Sequence, residues 1–296
     1  MRRYTSRPQR TTVRPVEVDG VGMLSGNPVR VRFVPAPPST GVVFVRVDLA
    51  GRPRVSAHVS QVTGTNRRTT LGRGKVQVTL VEHVLAALAG LRVDNCLIEI
   101  DGPEPPGLDG SANRFVQAVI RAGIREQPVR RGVWSVTEPV TVQAGTATLT
   151  LHPPTDDLSG RLVMSYFLDY GSWSPIARQV HTQLITPGTF LHELSACRTF
   201  LLEEEAEALR RQGIGARTTT ADLLVFGRGG PIGNRLRFAN EPARHKVLDM
   251  VGDLSLLGAD LCGHLIAYRS GHPLNVELAR ELNERMVRTM AHAAVA

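Results

Sequence analysis

The order of apolar runs limits this chain most, because it occurs twice. β-rich runs at 13–18, 29–34, 42–47 and 76–79 open the chain, separated by turns and an irregular polar stretch at 60–75. An almost wholly apolar helix follows at 82–91, then a strand at 97–100. A second helix runs from the Asp109-Gly110-Ser111 cap to residue 122, with Gly123 at its end. A short charged segment containing Pro128, residues 127–132, reads as a linker. Beyond it lie strands at 134–138, 141–151, 161–168 and 178–185 and a helix from 187. A charged helix at 203–211 and strands at 223–226 and 236–238 come next. A long helix at 242–257, a strand at 264–268 and a helix at 274–293 complete the chain. Each half therefore runs strands, helix, strand, helix. That predicts an α+β fold with sheets covered by helices, in units at 1–127 and 132–296, rather than regular βαβ alternation. The second half carries an extra segment at about 197–235.

A hydrophobic fraction of 42% over 296 residues suffices for real cores. Cys96, Cys197 and Cys262 are too scattered for a disulfide framework and fit a reducing compartment. No window approaches the roughly 18 consecutive apolar residues of a membrane-spanning helix. The basic, polar stretch at 1–15 has no apolar run behind it, so a cytoplasmic protein is expected. The net charge of +8 is spread over dispersed arginines, and aromatics make up only 5%. A solvated basic surface comes first, a phosphate-bearing substrate second, and a base-stacking nucleic-acid platform last.

Three places concentrate coordinating and proton-transferring groups. His245 and Asp249 stand one turn apart on a helix, where an imidazole and a carboxylate can grip one ion, and Asp253 extends that face. Glu82 and His83 lead the apolar helix, where buried charge is costly. His272 follows a strand end in Tyr268-Arg269-Ser270-Gly271. Singly, each has an ordinary explanation: a satisfied core histidine at 83, a loop residue at 272, and an i,i+4 pair worth about 0.3–0.5 kcal/mol at 245 and 249. Together they make a complete site. Two histidines and an aspartate are a ligand set for catalytic zinc with one position left for water. Glu82 suits a proton acceptor, because neighbouring helix positions point about 100° apart and it cannot easily share an ion with His83. His272 can stabilise an oxyanion or protonate a leaving amine, and Lys246 suits an anion such as a substrate phosphate.

Five ordered segments go further. They are Val81-Glu82-His83 with its helix and Asp94-Asn95, Leu108-Asp109-Gly110-Ser111-Ala112, Arg198-Thr199-Phe200, Arg244-His245-Lys246-x-x-Asp249-x-x-Gly252-Asp253, and Ser270-Gly271-His272. In these, and essentially from Gln9 to Asn275, the chain resembles the UDP-3-O-acyl-N-acetylglucosamine deacetylase family of lipid A biosynthesis. The resemblance implies two similar β-α-α-β domains with zinc held between them by His83, His245 and Asp249. It makes Glu82 the general base, His272 the general acid and Asp253 its orienting partner. Thr199 would help hold the oxyanion, with Lys246 and Phe200 touching substrate and Arg269 and Tyr170 near the nucleotide. The segment at 197–235 would be a βαβ insert forming a passage for the acyl chain.

The chain departs from the family in the N-terminal turn, where Met23-Leu24 replaces the usual Leu-His and removes a donor. The polar loop before Val76 and the stretch at 215–220 also diverge, and Arg217 is unfavourable beside an alkyl chain unless its charge snorkels outward. The resemblance leads to the expectation of a cytoplasmic, monomeric, zinc-dependent deacetylase that hydrolyses the N-acetyl group of UDP-3-O-acyl-N-acetylglucosamine, a nucleotide-sugar lipid precursor. The alternatives are the same chemistry on another nucleotide-sugar or short-acyl amide, and a non-catalytic nucleic-acid-binding module.

Overall fold

The computed structural model describes residues 1–295, so the unit expected at 132–296 ends on Ala296, outside the described residues. Two five-stranded sheets share one topology. The first is ordered Val16–Val21, Pro28–Pro35, Cys96–Ile100, Val42–Arg46, Arg54–Ser56. The second is ordered Val140–Ala144, Ala147–His152, Gly263–Tyr268, Leu162–Leu168, Gln179–Leu184. In each, the last strand of the half inserts centrally, antiparallel to one neighbour and parallel to the other. A parallel neighbour demands a crossover connection, and the helices Glu82–Gly90 and Glu241–Leu254 lie on those crossovers.

Period-2 alternation gives each sheet one apolar face. Val29, Val31 and Phe33, then Cys96, Ile98 and Ile100, are buried in the first; Leu149, Leu151, Leu265 and Ala267 are buried in the second. Burying one such Val, Leu, Ile or Phe contributes about 1.5–3 kcal/mol. Helix Asn113–Ala122 packs on the first sheet with Glu82–Gly90 beside it, and Glu241–Leu254 and His272–Val295 pack on the second. Glu82–Gly90 also packs directly on Glu241–Leu254, joining the two halves through their helix layers. Gly252 permits that approach: a Cβ there would lie 2.2 Å from the Glu82 carbonyl oxygen.

Three sequence expectations need correction. Residues 127–132 are strand, not linker: they lie inside Ile124–Ser135, which pairs antiparallel with Arg2–Thr12 and parallel with Asp260–Leu261. Pairing jumps from Pro8–Arg130 to Gln9–Gln127, and the resulting bulge accommodates Pro128, which has no amide to give the ladder. The run at 141–151 is a hairpin turning at Gly145, whose φ is 56°. Residues 236–238 form no strand, because the Arg237 amide donates to Glu241 Oε2 (2.6 Å) as the chain enters the next helix.

The segment after Cys197 forms its own small sheet. Phe200–Leu202 and Leu224–Gly227 are parallel, connected through helix Glu203–Arg211, and Gly230–Pro231 completes the edge. Its root is fixed by Arg198, whose buried guanidinium donates to Glu241 (Nε–Oε1 2.8 Å), Asn234 and the Arg235 carbonyl. Among the described residues, no helix is long and apolar enough to cross a membrane.

Candidate active site

The close helix contact at Gly252 brings His83 beside His245 and Asp249. His83 Nε2 lies 3.6 Å and His245 Nε2 3.3 Å from Asp249 Oδ1, and the imidazole rings meet edge to face with centroids 5.1 Å apart. One donor atom from each residue falls within a 4.8 Å cluster. Donors about 2.0–2.1 Å from a tetrahedral zinc ion would stand roughly 3.4 Å from one another, so this spacing suits that ion.

The local bonding points the same way. His245 Nδ1 lies 3.0 Å from the Cys197 carbonyl, which can only accept, so Nδ1 carries the proton and Nε2 offers its lone pair to the cluster. Burial is the main reason the His245 pKa falls to about 3, so its ring is neutral at neutral pH, as a ligand must be. Asp249 Oδ2 accepts from Lys246 Nζ (3.0 Å), but Asp249 Oδ1 is buried with no hydrogen-bond partner. A buried, partnerless carboxylate oxygen aimed between two imidazoles is what a cation would satisfy. Burial opposes ionisation of Asp249, yet the Lys246 ammonium, with the charge of His272 beyond, holds the carboxyl well below its usual range.

Glu82, Asp253 and His272 are tied together by Thr69. Its amide donates to Glu82 Oε2 (3.0 Å), while its hydroxyl donates to Asp253 Oδ1 (2.6 Å). Asp253 Oδ2 accepts from His272 Nδ1 (2.8 Å) and from Asn275 Nδ2 (2.9 Å). Glu82 is 3% exposed, and burial pushes its carboxyl above the usual range. Burial alone would lower the pKa of His272, but the charge and hydrogen bond of Asp253, with Glu82 and Asp249 beyond, bring it up to about 9. One carboxyl inclined to take a proton and one imidazolium inclined to keep one thus stand in the same buried site.

The sequence comparison decides the family. The family model described as UDP-3-O-acyl N-acetylglycosamine deacetylase matches residues 9–284. The chain belongs to that family. A relative called UDP-3-O-acyl-N-acetylglucosamine deacetylase from Trichormus variabilis is 38% identical over 279 residues, covering 93% of this chain and 98% of that one. The same-named protein of a Nostoc species is 39% identical with the same coverage. A Bifunctional enzyme LpxC/FabZ from Chlorobaculum tepidum is 38% identical over 310 residues, with this chain spanning 93% of its own length but 64% of that relative's.

Of the family-motif residues, Lys246 and Phe200 join the cluster directly. Lys246 Nζ stands 5.4 Å from the centre of the Phe200 ring, which in turn meets the His245 ring at 6.1 Å. Tyr170 and Phe226 flank Phe200 edge-on at 6.0 and 6.2 Å, so aromatic rings continue from the cluster into the small sheet. Thr199 sits at the root of that sheet, held by its backbone to Gly110 and Leu224; its hydroxyl has no hydrogen-bond partner among the described residues. Arg269 is committed to Asp169 (Nη2–Oδ2 3.0 Å), which fixes it below the half-exposed Tyr170 loop. Arg217 donates to the Gly26 carbonyl at 3.0 Å, which ties its guanidinium to the N-terminal turn. The turn carrying Leu24 is held by its backbone, the Leu24 and Ser25 amides donating to the buried Glu104 carboxylate at 2.9 and 2.7 Å.

Thr69 and Asn275 escaped the sequence reading. Asn275 stands one helical turn beyond His272, so helix periodicity could have suggested it. Thr69 lies in the irregular stretch before Thr70–Leu71, where no pattern marks one polar residue among many.

Proposed function

We propose that this chain is a zinc-dependent deacetylase that hydrolyses the N-acetyl group of UDP-3-O-acyl-N-acetylglucosamine, a step of lipid A biosynthesis. The observation that carries the reading is the partnerless Asp249 Oδ1 between His83 and His245, beside two oppositely biased proton carriers, in a member of the deacetylase family. His83, His245 and Asp249 would hold the zinc. When bound, it supplies a Lewis acid that acidifies water and polarises an amide carbonyl.

Glu82 takes the proton of the attacking water, for which its raised affinity suits it. His272, protonated near neutral pH and backed by Asp253, neutralises charge developing on the carbonyl oxygen and gives its proton to the leaving sugar nitrogen. Acetic acid, which ionises to acetate in water, and a free amine result; Glu82 is left protonated and His272 neutral, and passage of that proton from Glu82 to His272 restores both for the next cycle. Thr199 offers its free hydroxyl to the oxyanion. Lys246 and Phe200 contact substrate, and Arg269 and Tyr170 flank the nucleotide.

The two halves act as domains at 1–127 and 132–296. The insert at about 197–235 forms the acyl passage, supported by the Phe200–Phe226 run and by the hydrogen bond that holds the Arg217 guanidinium on the Gly26 carbonyl. The protein acts as a monomer, and a reducing, cytoplasmic setting is in keeping with three free, buried cysteines. Metal analysis of the purified protein, and deacetylation of UDP-3-O-acyl-N-acetylglucosamine by wild type and Glu82→Ala, test the reading. One zinc per chain and a large loss of turnover in the variant support it; a metal-free active protein, or full activity in the variant, overturns it.

A further inference from the structure

A cavity of about 350 Å³ opens between the two halves, and none of the proposed catalytic or metal-holding residues lines it. Leu85 and Leu88 of one central helix, Val251 and Leu254 of the other, and Leu162 and Met164 of the second sheet form its apolar wall. One end is charged. Arg7 and Arg131 there are neutralised by Asp94 and Asp260, with contacts of 2.6–3.2 Å. Arg92 lines the same end, and its guanidinium has no hydrogen-bond or ion-pair partner among the described residues. With two carboxylates already shared by two arginines, Arg92 is a surplus cation facing an apolar chamber.

The backbone makes Arg92 harder to dismiss as packing. Helix Glu82–Gly90 ends in a Schellman motif: Arg92 N donates to the Ala89 carbonyl (2.9 Å) and Val93 N to the Leu88 carbonyl (2.8 Å). Arg92 occupies the left-handed position of that motif at φ 58°, where glycine is favoured and a side chain is strained. A long cationic side chain therefore stands where the fold itself prefers none.

We infer that this cavity is a binding site for a small amphipathic anion, a medium-chain fatty carboxylate, with its head on Arg92 and its chain between the two central helices. Its volume lies in the range of about 300–1,000 Å³ usual for small-ligand pockets, which favour interfaces between structural units. The inference is independent of the deacetylase reading, because the chemistry proposed there uses none of these residues.

Calorimetric titration of the full chain with sodium decanoate, with decanol as the uncharged control, tests it. Hydrogen exchange locates the binding. Wild type should bind decanoate saturably and decanol at least tenfold more weakly, with new protection at 85–93 and 254–261. Arg92→Gly should lose at least tenfold in affinity while its melting temperature stays level or rises, since glycine relieves the left-handed position. Ala89→Phe, which fills the chamber, should lose binding as well. Absence of saturable binding, equal affinity in wild type and Arg92→Gly, or protection confined to 200–227 would overturn the proposal.

Discussion

The Thr69 hydroxyl donates a 2.6 Å hydrogen bond to Asp253 Oδ1, across 184 residues of sequence and from one half of the molecule to the other. The same residue's amide holds Glu82. Thr69 is thus a positioning residue that fixes the proposed base relative to the Asp253–His272 pair. Thr69→Val keeps the shape but leaves Asp253 Oδ1 short of a partner, and a hydrogen bond to a charged group is worth about 1.5–3 kcal/mol. Turnover should fall about tenfold or more with KM little changed. Thr69→Ser should restore most of it, whereas a purely structural role would lower folding stability without separating kcat from KM.

The Asp249 carboxylate makes the second prediction. Asp249→Asn is nearly isosteric but removes the anion between His83 and His245 and leaves the Lys246 ammonium without its counter-charge. Zinc affinity should fall at least tenfold by competition with a chelator. Added zinc should raise the melting temperature of wild type, since a ligand that binds only the folded state stabilises it, and should leave the variant nearly unmoved. Equal zinc-induced shifts in both proteins would remove Asp249 from the metal set.

How much of this was readable beforehand follows from what kind of signal each residue leaves. His245, Asp249 and Asp253 share a helix face, so periodicity alone aligns them. Glu82 and His83 stand out because charge precedes an apolar run. The strand at 29–34 also follows from alternation, since Val29, Val31 and Phe33 all point inward. Long-range partners leave no such trace. Arg2–Thr12 is polar and basic, so nothing local shows that it pairs with Ile124–Ser135, and a charged stretch with a proline reads as linker when it is a bulged strand. The Thr69 contacts, the Arg198–Glu241 pair and the Arg92 cavity come from tertiary placement alone.

The pH profile of turnover should be bell-shaped. Activity rises as Glu82 loses its proton, at a pH above the usual carboxylate range because burial raises its affinity. It falls as His272 loses its proton, whose pKa is about 9 without a bound cation. A zinc ion nearby adds positive charge and moves both limbs down, so the alkaline limb should fall at or below about 9. His272→Gln should lower turnover and abolish that limb. The same shift has a stability counterpart: with the pKa of His272 raised from 6.5 to about 9, its stabilisation is fully present below about 6.5 and lost as pH rises through about 9. Metal-free urea unfolding across that window, compared with His272→Gln, should show the wild-type excess disappearing on the alkaline side.

Gly252 offers the sharpest test of how the two halves are held together. Its φ lies outside the left-handed region, so alanine is compatible with the backbone and has the higher helix propensity. On propensity alone Gly252→Ala should stabilise by up to about 1 kcal/mol. Packing says the reverse, because the new Cβ would lie 2.2 Å from the Glu82 carbonyl oxygen and 2.9 Å from its carbonyl carbon, both backbone atoms with no rotamer to yield. The helices must separate, and overpacking of that kind typically costs about 1–3 kcal/mol. Separation also carries Glu82 and His83 away from His245 and Asp249, so stability, zinc affinity and turnover should fall together. Urea unfolding, chelator competition and the deacetylation assay measure the three, and a Gly252→Ala protein more stable than wild type with undiminished zinc affinity would show that the close helix contact does not build the site.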